Sequence, residues 1–321
     1  MDRNKMANFE QLVIFNKNGF PLPANTNEDF MKELYDMEVR EDDIFVVTYS
    51  KSGAHWMQEI VHLILNEGHV EKLNASHRQI VIEVANCRSF TPETVSASGP
   101  VLRKVKSMPS PRVVTTHVPY SLLPKQLQEN PCKLIYIYRH PKDVIVSNYH
   151  FSSRILEMCT GERVLHSAEQ FANFFDLSFA AKFQYGSWFD HVNEYYKHKD
   201  DESFLSISFE AMKMDLPTVE RKIASFIGRQ LDDAAVCRVV EGASFESMQT
   251  SFKRDQAKNK ALGENVVDTE IFVNKGEMRQ WKHYFTAEQN HRFDQLFSEK
   301  MQHCHWTKPY ALHCSNESST S

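Results

Sequence analysis

Residues 43–65 read DIFVVTYSKSGAHWMQEIVHLIL. Residues 44–49 are almost all β-branched or aromatic, the pattern of a strand buried on both faces in a parallel sheet. From Gly53 the period changes: Trp56, Ile60, Leu63 and Ile64 recur at three- and four-residue spacing, as on one face of a helix. Lys51-Ser52-Gly53 lies between the two. A helix opening there aims backbone N–H groups and the positive end of its dipole at the turn; Gly53 lets a ligand approach and Lys51 adds a full charge. The stretch reads as strand, anion-binding turn and helix, with phosphate the expected anion; the alternative is an ordinary βα turn carrying a solvated lysine. The Walker pattern GxxxxGK[ST] is missing, which argues against a conventional ATPase or kinase loop.

With 321 residues, 41% hydrophobic and 12% aromatic, the chain can bury a large core as a single domain spanning 1–321. Its 37 basic and 42 acidic residues give a formal charge of -5, which argues against nucleic acid as a partner but not against a local site for a small anion. The start, MDRNKMANFEQ, lacks an apolar signal core, and no run approaches the roughly 18 apolar residues of a membrane span, so a cytoplasmic protein with no membrane partner is expected. The six cysteines show no CxxC pair, which suits a reducing compartment. His303-Cys304-His305 with His313-Cys314 is the densest metal-ligand type region, but adjacent ligands reach one tetrahedral ion poorly, so no metal is expected.

Along the chain, 1–25 is a polar lead with a turn at Phe20-Pro21-Leu22-Pro23, followed by a short helix at 27–37. Residues 66–111 read as helix fragments and a long loop of the kind that covers binding sites. A strand at 112–116 ends in His117, which places this histidine beyond a strand's carboxyl end, in the same layer as the Lys51 turn. A strand at 133–138 runs into Arg139-His140-Pro141-Lys142-Asp143, where Pro141 suits the first turn of a helix that carries Ser147 and Phe151. Arg139 and Ser147 can then face one anion; the alternative is an Arg-Asp pair closing the joint. Helices at 168–183 and 185–196, a strand at 204–209 and helices at 217–227 and 232–240 follow. Residues 253–272 read as a polar mobile loop, 286–300 as a helix and 313–321 as a disordered tail.

Four segments also resemble the cytosolic sulfotransferases. TYSKSGAHW is similar to their TYPKSGTTW, which binds the 5'-phosphosulfate of 3'-phosphoadenosine 5'-phosphosulfate (PAPS); TTHVPYSLLP is similar to KTHLPxxLLP. YIYRHPKDVIVSNYHF resembles the 3'-phosphate motif YxxRNPKDxxVSxYHF, and NKGEMRQWKHYFT resembles the closing loop RKGxxGDWKxxFT. SISFEAMKMD is like the strand ending in YEDMK, and Thr250-Ser251-Phe252 matches the family's TSF.

The resemblance implies an α/β fold: a central parallel sheet of about four or five strands flanked by helices, with a P-loop-like phosphosulfate turn. It implies transfer of a sulfuryl group from PAPS, with no metal, to a hydroxyl or amine of a small-molecule acceptor such as a phenol, steroid or alcohol. His117 is the implied general base and Lys51 the catalytic cation, which in the family the aligned serine, here Ser147, restrains until acceptor binds. Cofactor contacts implied are Lys51, Ser52, Gly53, Ala54, His55, Trp56, Arg139, Ser147, Phe209, Thr250, Phe252, Asn274, Lys275 and Gly276. Trp56 and Phe252 would stack on adenine. Acceptor choice is expected from 66–111 and 253–272. Ser50, Ala54, His55, Thr115, Phe209 and Asn274 depart from the family pattern, so a PAPS- or PAP-binding protein with little turnover is the alternative. Beside the phosphosulfate His55 is expected to hold a raised pKa, tightening binding from about pH 8 to pH 6; the alternative is that His55 packs into the helix interface and never meets the cofactor. The family's pairing segment KxxxTVxxxE corresponds to Lys282, Thr286, Ala287 and His291, so a monomer or weak homodimer is expected.

Overall fold

The computed structural model describes residues 7–15, 18–24, 26–73, 78, 81–83, 99–129, 132–261 and 276–311. Strands β1 (Val13–Phe15) and β2 (Pro21–Pro23) pair as a small antiparallel ribbon. Helix α1 (Glu28–Tyr35) is capped by Asn27, whose side chain accepts from the Phe30 N–H. Then come β3 (Ile44–Thr48), α2 (Ala54–Leu65), α3 (Gly99–Ser107), β4 (Val113–Thr116), α4 (Lys125–Glu129), β5 (Lys133–Tyr138) and α5 (Pro141–Thr160). The second half carries α6 (Ala168–Phe179), α7 (Trp188–Tyr196), β6 (Phe204–Ser208), α8 (Phe209–Met214), α9 (Leu216–Phe226), α10 (Asp233–Gly242), α11 (Phe245–Ala261), α12 (Ala287–Met301) and α13 (Lys308–Ala311).

The main sheet has the order β4-β3-β5-β6, with every pairing parallel. β3 is fully buried along its length, as its unbroken apolar run requires. Alternate residues serve opposite faces. Phe45 and Val47 join Tyr136 and the apolar sides of α5, α6, α7 and α12, whereas Ile44 and Val46 join Ile135, Ile207 and those of α2, α9 and α10. The chain leaves β3 for β4 on one side and returns to β5 on the other, so the crevice at the carboxyl end of β3 is a topological switch point. A parallel bridge between Val81 and Thr115, with the Ile82 N–H donating to Thr115 at 3.0 Å, adds a rudimentary fifth strand to the free edge of β4. At the opposite, amino end of the sheet, Arg112 donates from Nε to Asp43 Oδ1 at 2.8 Å and from a terminal nitrogen to Asp43 Oδ2, both side chains being buried. Removing one partner of such a pair costs about 3–5 kcal/mol, because the other charge stays buried alone.

Five expectations need correction. The turn at 20–23 contains a strand, β2, and the polar lead is partly core: Phe9, Leu12 and Leu22 are buried. Residues 253–261 continue α11; their polarity on all sides leaves no apolar period to read. The helix predicted at 168–183 ends at Phe179, with Ala181 in the left-handed region at φ 57°. The next starts at Trp188 because Tyr185, at φ 67°, and Gly186 turn the chain first. Residues 262–275 and the tail from 313 lie outside the described residues. Lys282, Thr286, Ala287 and His291, around the start of α12, are exposed.

Candidate active site

The residues just past all four parallel strands meet in one cavity of about 620 Å³: Ser50 and Lys51 after β3, His117 after β4, Arg139 after β5 and Phe209 after β6. Two left-handed residues shape its floor, Lys51 at φ 67° and Gly53 at φ 108°. Between them the Ser52 N–H donates to the Tyr49 carbonyl at 3.1 Å, which closes the turn. Gly53 is also the N-cap of α2, and no side chain caps that first turn. Its donors and dipole therefore remain available to a ligand. Gly53 has a steric reason too: a Cβ there would lie 2.9 Å from Phe209 Cδ2, and one on Gly276 would lie 2.7 Å from Phe209 Cζ. The Phe209 ring thus occupies the space between two glycines.

Arg139 braces this corner. It is buried, its guanidinium carbon lies 4.4 Å from the centroid of Phe209, and it donates to the carbonyls of Lys51 at 3.1 Å and Glu277 at 2.9 Å. Its Nε has no hydrogen-bond partner among the described residues. Asp143 does not close an ion-paired joint with it; the carboxylate accepts from the N–H groups of Arg279 at 2.8 Å and Trp281 at 3.1 Å. Ser147, Phe151 and Ile155 follow one another along a face of α5 that lines the cavity. The Lys51 ammonium lies 4.1 Å from the Phe151 centroid, and among the described residues no hydrogen bond joins it to Ser147. Burial, then the charges of Arg139 and Arg154, push the Lys51 pKa down to about 7.

His117 is held from three directions. Its Nδ1 lies 2.9 Å from the Thr48 carbonyl and 3.0 Å from the Thr48 hydroxyl. A carbonyl can only accept, so Nδ1 carries the proton and Nε2 keeps its lone pair. The His117 carbonyl accepts from His191 Nε2 at 3.1 Å, which leaves His191 Nδ1 to accept from the Tyr136 hydroxyl at 2.9 Å. The His117 N–H donates to Glu83 Oε1 at 2.6 Å. Burial pushes the His117 pKa down to about 4, against the Thr48 hydrogen bond that raises it, so the imidazole is neutral at pH 7.

Ala54, His55 and Trp56, at the start of α2, line the same cavity. Burial, then Lys51 and His117, push the His55 pKa down to about 3, so without an anion the balance runs opposite to the raised value expected. Trp56 donates from Nε1 to the Ala243 carbonyl at 2.9 Å and stands edge-on to Phe209. Three of the sequence-selected residues do not line the cavity. Ser52 is fully buried beneath the turn, and Thr250 is exposed, bonding back to Glu246. Phe252 is buried under the guanidinium of Arg78, which itself pairs with Glu59 and Asp255. Asn274 and Lys275 lie outside the described residues; Gly276 is in the wall.

Of the remaining wall only Met212 and Lys213 fall in one of the motifs read from the sequence. Beyond Trp56 it comes from Met212, Lys213, Phe245 and Met248; beside His117 it comes from Leu12, Pro23, Val81, Gln184 and Tyr185. Tyr185 packs edge-on to His117 at 5.3 Å. The one signal for it is Tyr-Gly before a helix, a pair suited to a turn with positive φ. Of 66–111, Val81 reaches the cavity among the described residues, and none of 253–261 does.

A crevice of this kind belongs to an α/β enzyme that binds a phosphorylated co-substrate and moves a group from it. The sulfotransferase domain profile matches residues 41–305. The rabbit (Oryctolagus cuniculus) amine sulfotransferase is 36% identical over 282 residues, 84% of this chain and 84% of its own. Human sulfotransferase 1C2 is 33% identical over 279 residues, 85% and 88% of the two chains. The crystal structure of mouse sulfotransferase SULT7A1 complexed with PAP matches with a TM-score of 0.73 at 28% identity, covering 94% of this chain and 99% of that one. The chain belongs to the sulfotransferase family, and it is an enzyme of sulfuryl transfer. Among the described residues no group of three or more His, Cys, Asp or Glu could hold a metal ion, and no helix is long and apolar enough to cross a membrane.

Proposed function

We propose that the protein transfers the sulfuryl group of PAPS to a hydroxyl or amine of a small apolar acceptor, with His117 as general base. The observation that carries this reading is the single cavity that holds a neutral imidazole, its Nε2 lone pair available, together with the Lys51-Gly53 turn. The volume of about 620 Å³ lies within the range of sites that enclose a nucleotide-sized ligand. The uncapped start of α2 fits a phosphate group. PAPS supplies an activated S–O bond to phosphate.

His117 Nε2 takes the acceptor's proton as its oxygen or nitrogen attacks, while the Nδ1–H bond to Thr48 holds the tautomer. Lys51 and the first N–H groups of α2 face the charge that grows on the phosphate side of the breaking bond. Arg139 and Ser147 hold the 3'-phosphate and so set the position of attack, and Trp56 offers a face for the adenine. The apolar surroundings of His117, from Leu12, Pro23, Val81 and Tyr185, favour a ring-bearing acceptor. Incubation with radiolabelled PAPS and a panel of phenols, steroids, alkyl alcohols and amines tests this. Labelled product with at least one acceptor is expected; PAP binding with no transfer to any of them would overturn it.

A further inference from the structure

Glu83 is the buried acid closest in bonding to the base, and neither the motifs nor the reaction just described uses it. It stands where the rudimentary strand runs beside β4, only 2% exposed. One oxygen accepts from the His117 N–H at 2.6 Å and the other from the Thr116 hydroxyl at 2.9 Å. The Tyr185 ring stands edge-on to the His117 imidazole. Val81, two residues before Glu83, and Tyr185 both line the cavity beside His117. One carboxylate thus ties the base's main chain to the Thr116 hydroxyl.

We propose that Glu83 is a positioning residue for sulfuryl transfer: its carboxylate fixes the main chain of His117 and the Thr116 side chain before it, and so the direction from which the imidazole enters the cavity. This rests on the reading of His117 as base. An ionised carboxylate accepts from both donors at once, whereas a protonated one has a hydrogen of its own to place and loses acceptor capacity. The groups facing it are His117 and Thr116 at the end of β4, Tyr185 before α7, and Tyr195 on α7, whose pKa is raised by burial first and by nearby charges, Glu83 among them. Burial pushes the Glu83 pKa up to about 7 in spite of the hydrogen bonds from His117 and Thr116 that lower it. The ordered, ionised state is therefore gained as pH rises through neutrality.

The experiment is kcat between pH 5.5 and 8.5 at saturating PAPS, with PAP affinity measured in parallel, for the parent, Glu83→Gln, Thr116→Val and His117→Ala. The parent is expected to show kcat rising through pH 7. In Glu83→Gln, kcat should drop by roughly 10- to 100-fold, the scale of a slightly misplaced catalytic group, with the rise gone and PAP affinity within about twofold. Thr116→Val removes a bond that favours the ionised form, so the rise should move to higher pH. Parental kcat and pH profile in Glu83→Gln beside an inactive His117→Ala would overturn the role of Glu83 alone, whereas parental turnover in His117→Ala would remove the base reading itself. If Glu83→Gln does not fold, Thr116→Val decides: an unmoved rise overturns the proposal.

Discussion

At the Lys51 end of the cavity most of the anion-facing wall comes from one contiguous turn, residues 50–56, with Arg139 and Phe209 packed behind it. At the His117 end the wall comes from segments far apart in the chain: Leu12 and Pro23 around the N-terminal ribbon, Val81 at the sheet edge, and Gln184 and Tyr185 before α7. The second set holds together through bonds between those segments. Gln184 donates to the Leu12 carbonyl at 2.6 Å, and the Tyr185 N–H donates to the Pro21 carbonyl at 2.9 Å. On the reading proposed above, anion recognition rests mainly on backbone donors and a helix dipole, which survive almost any side-chain change, and acceptor recognition rests on side-chain shape. The first end should therefore tolerate Ala54 and His55, while substitutions at the second should change the acceptor and leave the co-substrate alone.

The sharpest way to break this division is His117→Ala. Turnover is expected to fall by about 100-fold or more while PAP affinity stays within a few fold. A matching loss of affinity would mean that the two ends are not separable. Arg139→Ala comes next: loss of a charged hydrogen bond to phosphate, worth roughly 1.5–3 kcal/mol, should weaken PAP about 10- to 150-fold by calorimetry. Because Arg139 also bonds the Lys51 and Glu277 carbonyls, melting temperature should fall as well. A lower melting temperature with unchanged affinity would make Arg139 a brace alone.

The smallest effect concerns pH. In the free enzyme Lys51 has its pKa lowered to about 7 by burial and by Arg139 and Arg154, and a bound phosphate raises it again. Binding then takes up a proton, so PAP affinity should fall several-fold as pH rises from 6 to 8.5. His55, pushed to about 3, stays neutral throughout that window in the free enzyme. Lys51→Met should flatten the dependence, and Ala54→Thr with His55→Thr should keep it. Calorimetric titrations giving the reverse pattern would assign the pH response to His55 and make the anion end depend on a side chain after all.

From the residues alone, the strand-turn-helix at 43–65 and the strands bearing His117 and Arg139 were legible, because each is written in a local period or turn, while the sheet that joins them was implied by the family resemblance. A buried strand needs continuous apolar residues, a helix needs a three-and-four repeat, and an anion turn needs glycine beside a cation. β2, with its two prolines, and the polar reach of α11 carried no such period. Contacts made across the fold decided the rest. Phe209 filling the gap between Gly53 and Gly276 departs from these local rules, as does Phe252 under Arg78 instead of in the cavity. Glu83 reaching the His117 main chain, 34 positions away, is of the same kind. Such contacts join residues whose neighbours in sequence say nothing of their neighbours in space; only the packing of helices on both faces of the sheet brings them within bonding distance.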